Sequence, residues 1–187
     1  MRRAPAVLFA VVTAVVTAVV IAATPATAVA EPPRLVAVSG QFGDGTAITY
    51  RPELVPAGAR VTVVGLPLVD STTVVLSVRG LVPDRHYGAH VHTKPCGAAP
   101  ADSGPHYQDQ VDPVQPSTDP AYANPDNEIW LDFATDEHGG AITSSTVDWT
   151  FGERRGASVV IHETHTHTAP GHAGTAGARL ACVTVAF

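Results

Sequence analysis

From residue 47 to its end the sequence is cut into short β-branched or alternating stretches, and this segmentation constrains the fold more than any other feature. Residues 47–51, 59–65, 72–79, 86–92, 128–135, 142–151, 157–163 and 178–187 each have strand character, and turn residues bound them. No long stretch after the first 30 residues places apolar side chains at helical spacing. Eight such segments in a chain of single-domain length predict an all-β fold, an antiparallel sandwich or barrel. Two long segments interrupt the strands: 96–127, rich in Pro, Asp, Ala and Gly, and 164–177, rich in His, Thr, Gly and Ala. Loops of this length in a compact domain are usually functional or disordered, and both begin beside histidines, which favours function.

The chain opens Met1-Arg2-Arg3, continues with an almost uncharged Ala/Val/Leu run over 6–23, and reaches Pro25 and then Ala28-Val29-Ala30. A positive start, an apolar middle and a small-x-small site describe a cleavable export signal. The apolar run is also near the length of a membrane anchor, but the Ala-x-Ala pattern falls where a processing enzyme cuts. The expected organisation is a signal peptide over 1–30, a lead-in over 31–39 and one β domain over 40–187, with no membrane span after cleavage. Without Arg2 and Arg3, nine basic residues face 17 acidic ones, a formal charge of −8. Such a chain is a poor partner for nucleic acid. In an exported protein the two cysteines, Cys96 and Cys182, are expected to pair with each other.

Nine histidines in a Lys-poor chain raise the question of a metal. His90 and His92 stand two apart in a predicted strand, so both project from one face toward a common point. His106 follows Gly104-Pro105 in a turn, and His162 ends the apolar run Val159-Val160-Ile161, where an unpartnered imidazole is costly to bury. Neutral imidazoles suit copper, zinc, iron or nickel, and spacing alone leaves copper and zinc both open.

Gly88-Ala89-His90-Val91-His92 with Cys96-Gly97, then Gly104-Pro105-His106, then Val160-Ile161-His162-Glu163, then Ala176-Gly177-Ala178-Arg179-Leu180-Ala181-Cys182 occur in the order found in the copper,zinc superoxide dismutases. The sequence resembles that family from about residue 40 to the C-terminus. The resemblance implies an eight-stranded antiparallel Greek-key barrel or sandwich carrying two long loops. It implies copper ligands at His90, His92 and His162, and at His106 the imidazole that bridges copper to zinc in zinc-containing members. It also implies a Cys96–Cys182 disulfide and an arginine, Arg179, beside the copper, with His106 and Arg179 the catalytic groups. Superoxide is the implied substrate, disproportionated to oxygen and hydrogen peroxide.

The sequence departs from the family between 107 and 127, where zinc-containing members supply two further His and an Asp. Here there is no histidine, only Asp109, Asp112, Asp119 and Asp126, with Glu128 just beyond. An all-oxygen set suits structural zinc poorly, so copper without zinc is expected. That leaves the second nitrogen of His106 in need of an acceptor, for which Asp126 and Glu128 are the candidates, against a reading of both as solvated loop charges. His165, His167 and His172 read as a solvated His-rich loop, with a copper-collecting or substrate-guiding lip as the other reading. The rival to an enzyme is a non-enzymatic copper-binding or copper-carrier protein on the same fold, because fold and ligands do not guarantee turnover. Oligomeric state is not legible.

Overall fold

The computed structural model describes residues 34–187, so the leader and its cleavage site lie outside the described residues. Nine strands follow one another: β1 Val36–Gln41, β2 Ala47–Thr49, β3 Arg60–Pro67, β4 Thr72–Arg79, β5 His86–His92, β6 Phe133–Ala134, β7 Ala141–Val147, β8 Ser158–His162 and β9 Arg179–Thr184. One 3-10 turn, Pro100–Ser103, is the sole helical element among the described residues. No helix there is long and apolar enough to cross a membrane.

The strands form two antiparallel sheets, ordered β1-β3-β4-β7 and β2-β9-β8-β5-β6. After β7 in the facing sheet, β8 returns to lie beside β5, the long return of a Greek key. The all-β expectation holds, with two differences. Among the described residues there are nine strands rather than eight, and no ladder joins the sheets into a closed barrel. β1 covers residues expected in the lead-in. It sits at a sheet edge, alternates only between half-buried and exposed positions, and contains Ser39-Gly40, so it shows no fully buried face to a sequence pattern. The strand expected over 128–135 shrinks to β6, because the residues before it meet their neighbours through single bridges, Trp130 to His90 and Glu128 to Gln108.

The core lies between the layers. Val61 and Val63 of β3 with Val74, Leu76 and Val78 of β4 face Tyr87, Ala89 and Val91 of β5, Val159 and Ile161 of β8 and Val183 of β9, all buried. Burying a Val- or Leu-sized side chain contributes about 1.5–3 kcal/mol, which fixes the register of every strand that supplies one. On the outer face of the first sheet the strands are tied by hydroxyl pairs, Ser39 with Thr62 at 2.9 Å and Thr73 with Thr146 at 2.8 Å.

The second sheet is covered on both faces: β5 is buried from Tyr87 to His92, and β8 throughout. Alternate β5 residues Tyr87, Ala89 and Val91 fill the core, so Gly88, His90 and His92 look the other way. Residues 93–132 and 163–178 roof that outer face. The Cys96–Cys182 disulfide clamps the first roof segment to β9, and Gly171 N–H donates to the Thr118 carbonyl at 3.1 Å to join the two segments. Gly88 makes room for the second: a Cβ there would stand 2.5 Å from the Thr164 carbonyl oxygen and 2.8 Å from the Ala176 Cβ.

Candidate metal centre

His90 and His92 share the outer face of β5, and antiparallel pairing sets Gly88 opposite His162. The β8 to β9 register shifts between Ile161 and His162, a bulge of the kind that re-aims a side chain next to a site. His106 arrives from the loop. After the turn at Pro100–Ser103 the chain doubles back along β5, with Thr93 N–H on the Pro105 carbonyl at 3.0 Å and Tyr107 N–H on the Val91 carbonyl at 2.8 Å, which lays His106 beside His92. The four histidines each offer a nitrogen, and these nitrogens all lie within 4.8 Å of one another.

The hydrogen-bond partners fix which nitrogens are free. A carbonyl only accepts, so His92 donates from Nδ1 to Gly104 at 2.9 Å and keeps its lone pair on Nε2. His106 donates from Nδ1 to Glu128 Oε2 at 2.8 Å and likewise keeps Nε2 free. In His90 the Nε2 meets the Thr166 hydroxyl at 2.7 Å, while Nδ1 is buried with no hydrogen-bond partner; the Nδ1 of His162 is buried in the same condition. Buried polar atoms normally have partners, so the orphaned Nδ1 of His90 fits a cation site, while His162 turns Nε2 to His92, 3.3 Å away. Metal–imidazole bonds of about 2.0–2.1 Å place ligand nitrogens roughly 3–4 Å apart, so a small contraction of this cluster makes a coordination shell.

Burial keeps the rings of His90, His92 and His162 neutral, as ligation requires. Desolvation, reinforced by the neighbouring imidazoles, pushes His90 and His92 well below the ordinary histidine range. His162 is pushed down to about 3, again mainly by burial, with His106 and Arg179 adding to it. Above pH 6.5 such groups are neutral folded or unfolded and contribute no pH dependence. As pH falls from 6.5 toward 3 the unfolded chain takes up protons that the folded chain refuses, so folding is progressively opposed. Each such histidine costs up to about 1.4 kcal/mol per pH unit. Metal-free protein is therefore expected to lose stability progressively between pH 6.5 and 4.5; denaturant midpoints that stay level over that range would contradict neutral burial.

Glu128 is the carboxylate beside His106, and Asp126 is not. Glu128 is buried and accepts from His106, from Gln108 Nε2 at 2.8 Å and from Trp130 Nε1 at 2.7 Å. Asp126 is exposed, and its carbonyl receives Trp149 Nε1 at 2.8 Å. Outside the cluster lies a cleft of about 390 Å³ whose walls include His106, Glu128, His162, Thr175 and Arg179. Arg179 is half-buried and anchored by Nη1, which donates to the Pro100 carbonyl and the Ser103 hydroxyl, each at 2.9 Å. Burial lowers its guanidinium somewhat, with Tyr50 opposing, and it remains a cation.

A family model described as copper/zinc superoxide dismutase matches residues 61–185, a span that includes the four histidines, Arg179 and both cysteines. The chain belongs to the copper/zinc superoxide dismutase family. A solved structure, the crystal structure of the clock protein EA4, aligns with a TM-score of 0.52 at 17% identity, covering 81% of this chain and 92% of that one. At that identity the likeness is one of fold. No curated protein matches the chain.

In this member of the superoxide dismutase family several site residues escaped the sequence reading: Gln108, Trp130, Asp132 and Thr166. Asp132 Oδ1 accepts the Thr166 hydroxyl at 2.7 Å, the same hydroxyl that meets His90. A signal was present. In the extended stretch before β6, Glu128, Trp130 and Asp132 alternate with the buried Ile129, Leu131 and Phe133, so polar atoms fall on the histidine side and apolar ones in the core. The remaining histidines lie apart from the cluster. His165 Nε2 approaches His86 Nδ1 at 3.3 Å and the Phe133 carbonyl at 3.1 Å, His167 and His172 are exposed, and His138 stands beside Glu137.

Proposed function

We propose that the chain is an exported copper-dependent superoxide dismutase that works without zinc. The observation carrying this reading is a cluster of four imidazoles, three of them buried and held neutral, bordering a cleft in which an anchored arginine supplies positive charge. The disulfide fits export to an oxidising compartment, either free secretion or the cell envelope. His90, His92, His106 and His162 would hold copper, an all-nitrogen set suited to that metal. For zinc-free operation, the support is that His106 Nδ1, which faces zinc in zinc-containing members, is engaged by Glu128.

Bound copper would supply one-electron exchange, oxidising one superoxide to oxygen and reducing the next to hydrogen peroxide. The chain's own groups do the rest. Arg179 draws the anion into the cleft and orients it, a local positive charge in a chain whose net charge repels superoxide. When its Nε2 is not engaged as a ligand, His106 can take a proton there and pass it to the reduced oxygen species, the second proton coming from water, while Glu128 holds Nδ1 and stabilises the imidazolium that forms. Gln108 and Trp130 keep the Glu128 carboxylate in place.

The deciding experiment measures copper content and superoxide disproportionation on the same copper-loaded protein over a range of ionic strength, beside Arg179→Ala. The expected result is turnover that falls with added salt in the parent, and about tenfold or more slower turnover with a shallower salt slope in the variant. Tight copper without turnover would mean a copper carrier. Equal rates and equal slopes would remove Arg179 from the mechanism.

A further inference from the structure

Of the four clustered imidazoles, His90 is the one oriented by the second roof segment rather than by the first. Its ring is fully buried on β5, and its Nε2 lies 2.7 Å from the Thr166 hydroxyl. That hydroxyl lies 2.7 Å from Asp132 Oδ1, while Asp132 Oδ2 accepts the Thr166 backbone N–H at 2.7 Å, so the carboxylate grips both the side chain and the backbone of the threonine. Asp132 is itself held in register by the Ala89 N–H at 3.2 Å, one residue from His90. Its carboxylate stands 4.0 Å from His90 Nε2, too far for a direct hydrogen bond, so the threonine is the connecting group.

The direction of this chain follows from its ends. A carboxylate accepts, so the single hydroxyl proton of Thr166 points to Asp132. The threonine oxygen then has only lone pairs to offer, and His90 must donate to it from Nε2. This tautomer puts the His90 lone pair on Nδ1, the nitrogen that is buried without a partner inside the cluster. An outer partner that accepts from a ligating imidazole fixes its ring and strengthens it as a donor.

We propose that Thr166 and Asp132 are the positioning residues of His90, selecting its Nδ1 as the metal donor and coupling the seating of loop 163–178 to the metal centre. This rests on the copper reading of the cluster. One consequence is that the loop and the ligand are ordered together: with copper bound, Thr166 is held from both sides, and without the hydroxyl the loop loses its link to the buried ring.

The test uses the full domain with Thr166→Val, which keeps the shape and removes the hydroxyl, Thr166→Ser, which keeps the hydroxyl, and Asp132→Asn. The readouts are Cu(II) affinity by chelator competition and the electron paramagnetic resonance spectrum of bound Cu(II), with the melting temperature of metal-free protein recorded alongside. The expected result is 10- to 100-fold weaker copper binding and an altered hyperfine pattern in Thr166→Val and Asp132→Asn, with recovery of both in Thr166→Ser. The Thr166→Val, Asp132→Asn double variant should be no worse than the poorer single one, as for groups acting in one chain. Parent-like affinity and spectrum in Thr166→Val would overturn the inference, as would an unchanged spectrum accompanied only by a lower melting temperature. A parent protein that fails to bind copper would instead strike the copper reading beneath it.

Discussion

His162→Ala is expected to reduce copper-supported superoxide disproportionation to background, at least a hundredfold below the parent, while the protein stays folded at neutral pH. Its imidazole is 4% exposed and closes the cluster from β8, with Nε2 3.3 Å from that of His92. Without it, three donors remain and one wall of the site opens toward the cleft that His162 helps to line. Copper should bind less tightly, and the spectrum of bound Cu(II) should show fewer nitrogen couplings. A second, metal-free readout goes the other way. His162 resists protonation down to about pH 3, so removing it relieves up to about 1.4 kcal/mol of acid destabilisation per pH unit between 6.5 and 3. The variant should therefore lose less stability on acidification than the parent. Unchanged activity with full copper occupancy would refute a ligand role; an unchanged acid profile would refute neutral burial.

The other large effect is expected from the disulfide. Cys96 and Cys182 are 86 residues apart, and closing a loop of that length lowers the entropy of the unfolded chain by an amount worth about 4–5 kcal/mol in the chain-entropy treatment. A Cys96→Ser, Cys182→Ser double variant should melt roughly 10–20 °C below the parent. The loss should also be felt at the site. The bridge anchors the segment leading into the turn at Pro100–Ser103, whose carbonyl and hydroxyl hold Arg179, and into His106. The bridge-free protein should consequently turn over more slowly even well below its melting point. A shift of a degree or two with full activity would mean that burial alone holds this loop.

What could be read from the sequence, and what could not, divides along physical lines. Strands with one face in the core were legible, because Val61 and Val63, or Val74, Leu76 and Val78, repeat at the period of a pleated sheet. β1 was not, because an edge strand with half-buried residues carries little of that contrast. The H-x-H pair was legible for the same reason as the strands, since period two puts both rings on one side. Choosing between Asp126 and Glu128 required knowing that the chain becomes extended after Asn127, which turns Glu128 inward and leaves Asp126 exposed. Arg179 was legible by resemblance alone, because its anchors, Pro100 and Ser103, are more than 70 residues away and belong to a turn that no periodicity marks. Thr166 stood in a stretch that reads as solvated, and only its contacts with Asp132 and His90 reveal a role.

The stretch from Glu128 to Phe133 serves two masters at once, packing Ile129, Leu131 and Phe133 into the hydrophobic interior and presenting Glu128, Trp130 and Asp132 to the histidines. Such a stretch has a parity. Inserting or deleting a single residue within it would exchange the two faces, driving carboxylates inward and apolar groups toward the imidazoles. A change of two residues preserves the faces and displaces the contacts by one repeat. Length variation among chains built on this plan should therefore come in even steps here, and in free steps in the turns that flank it.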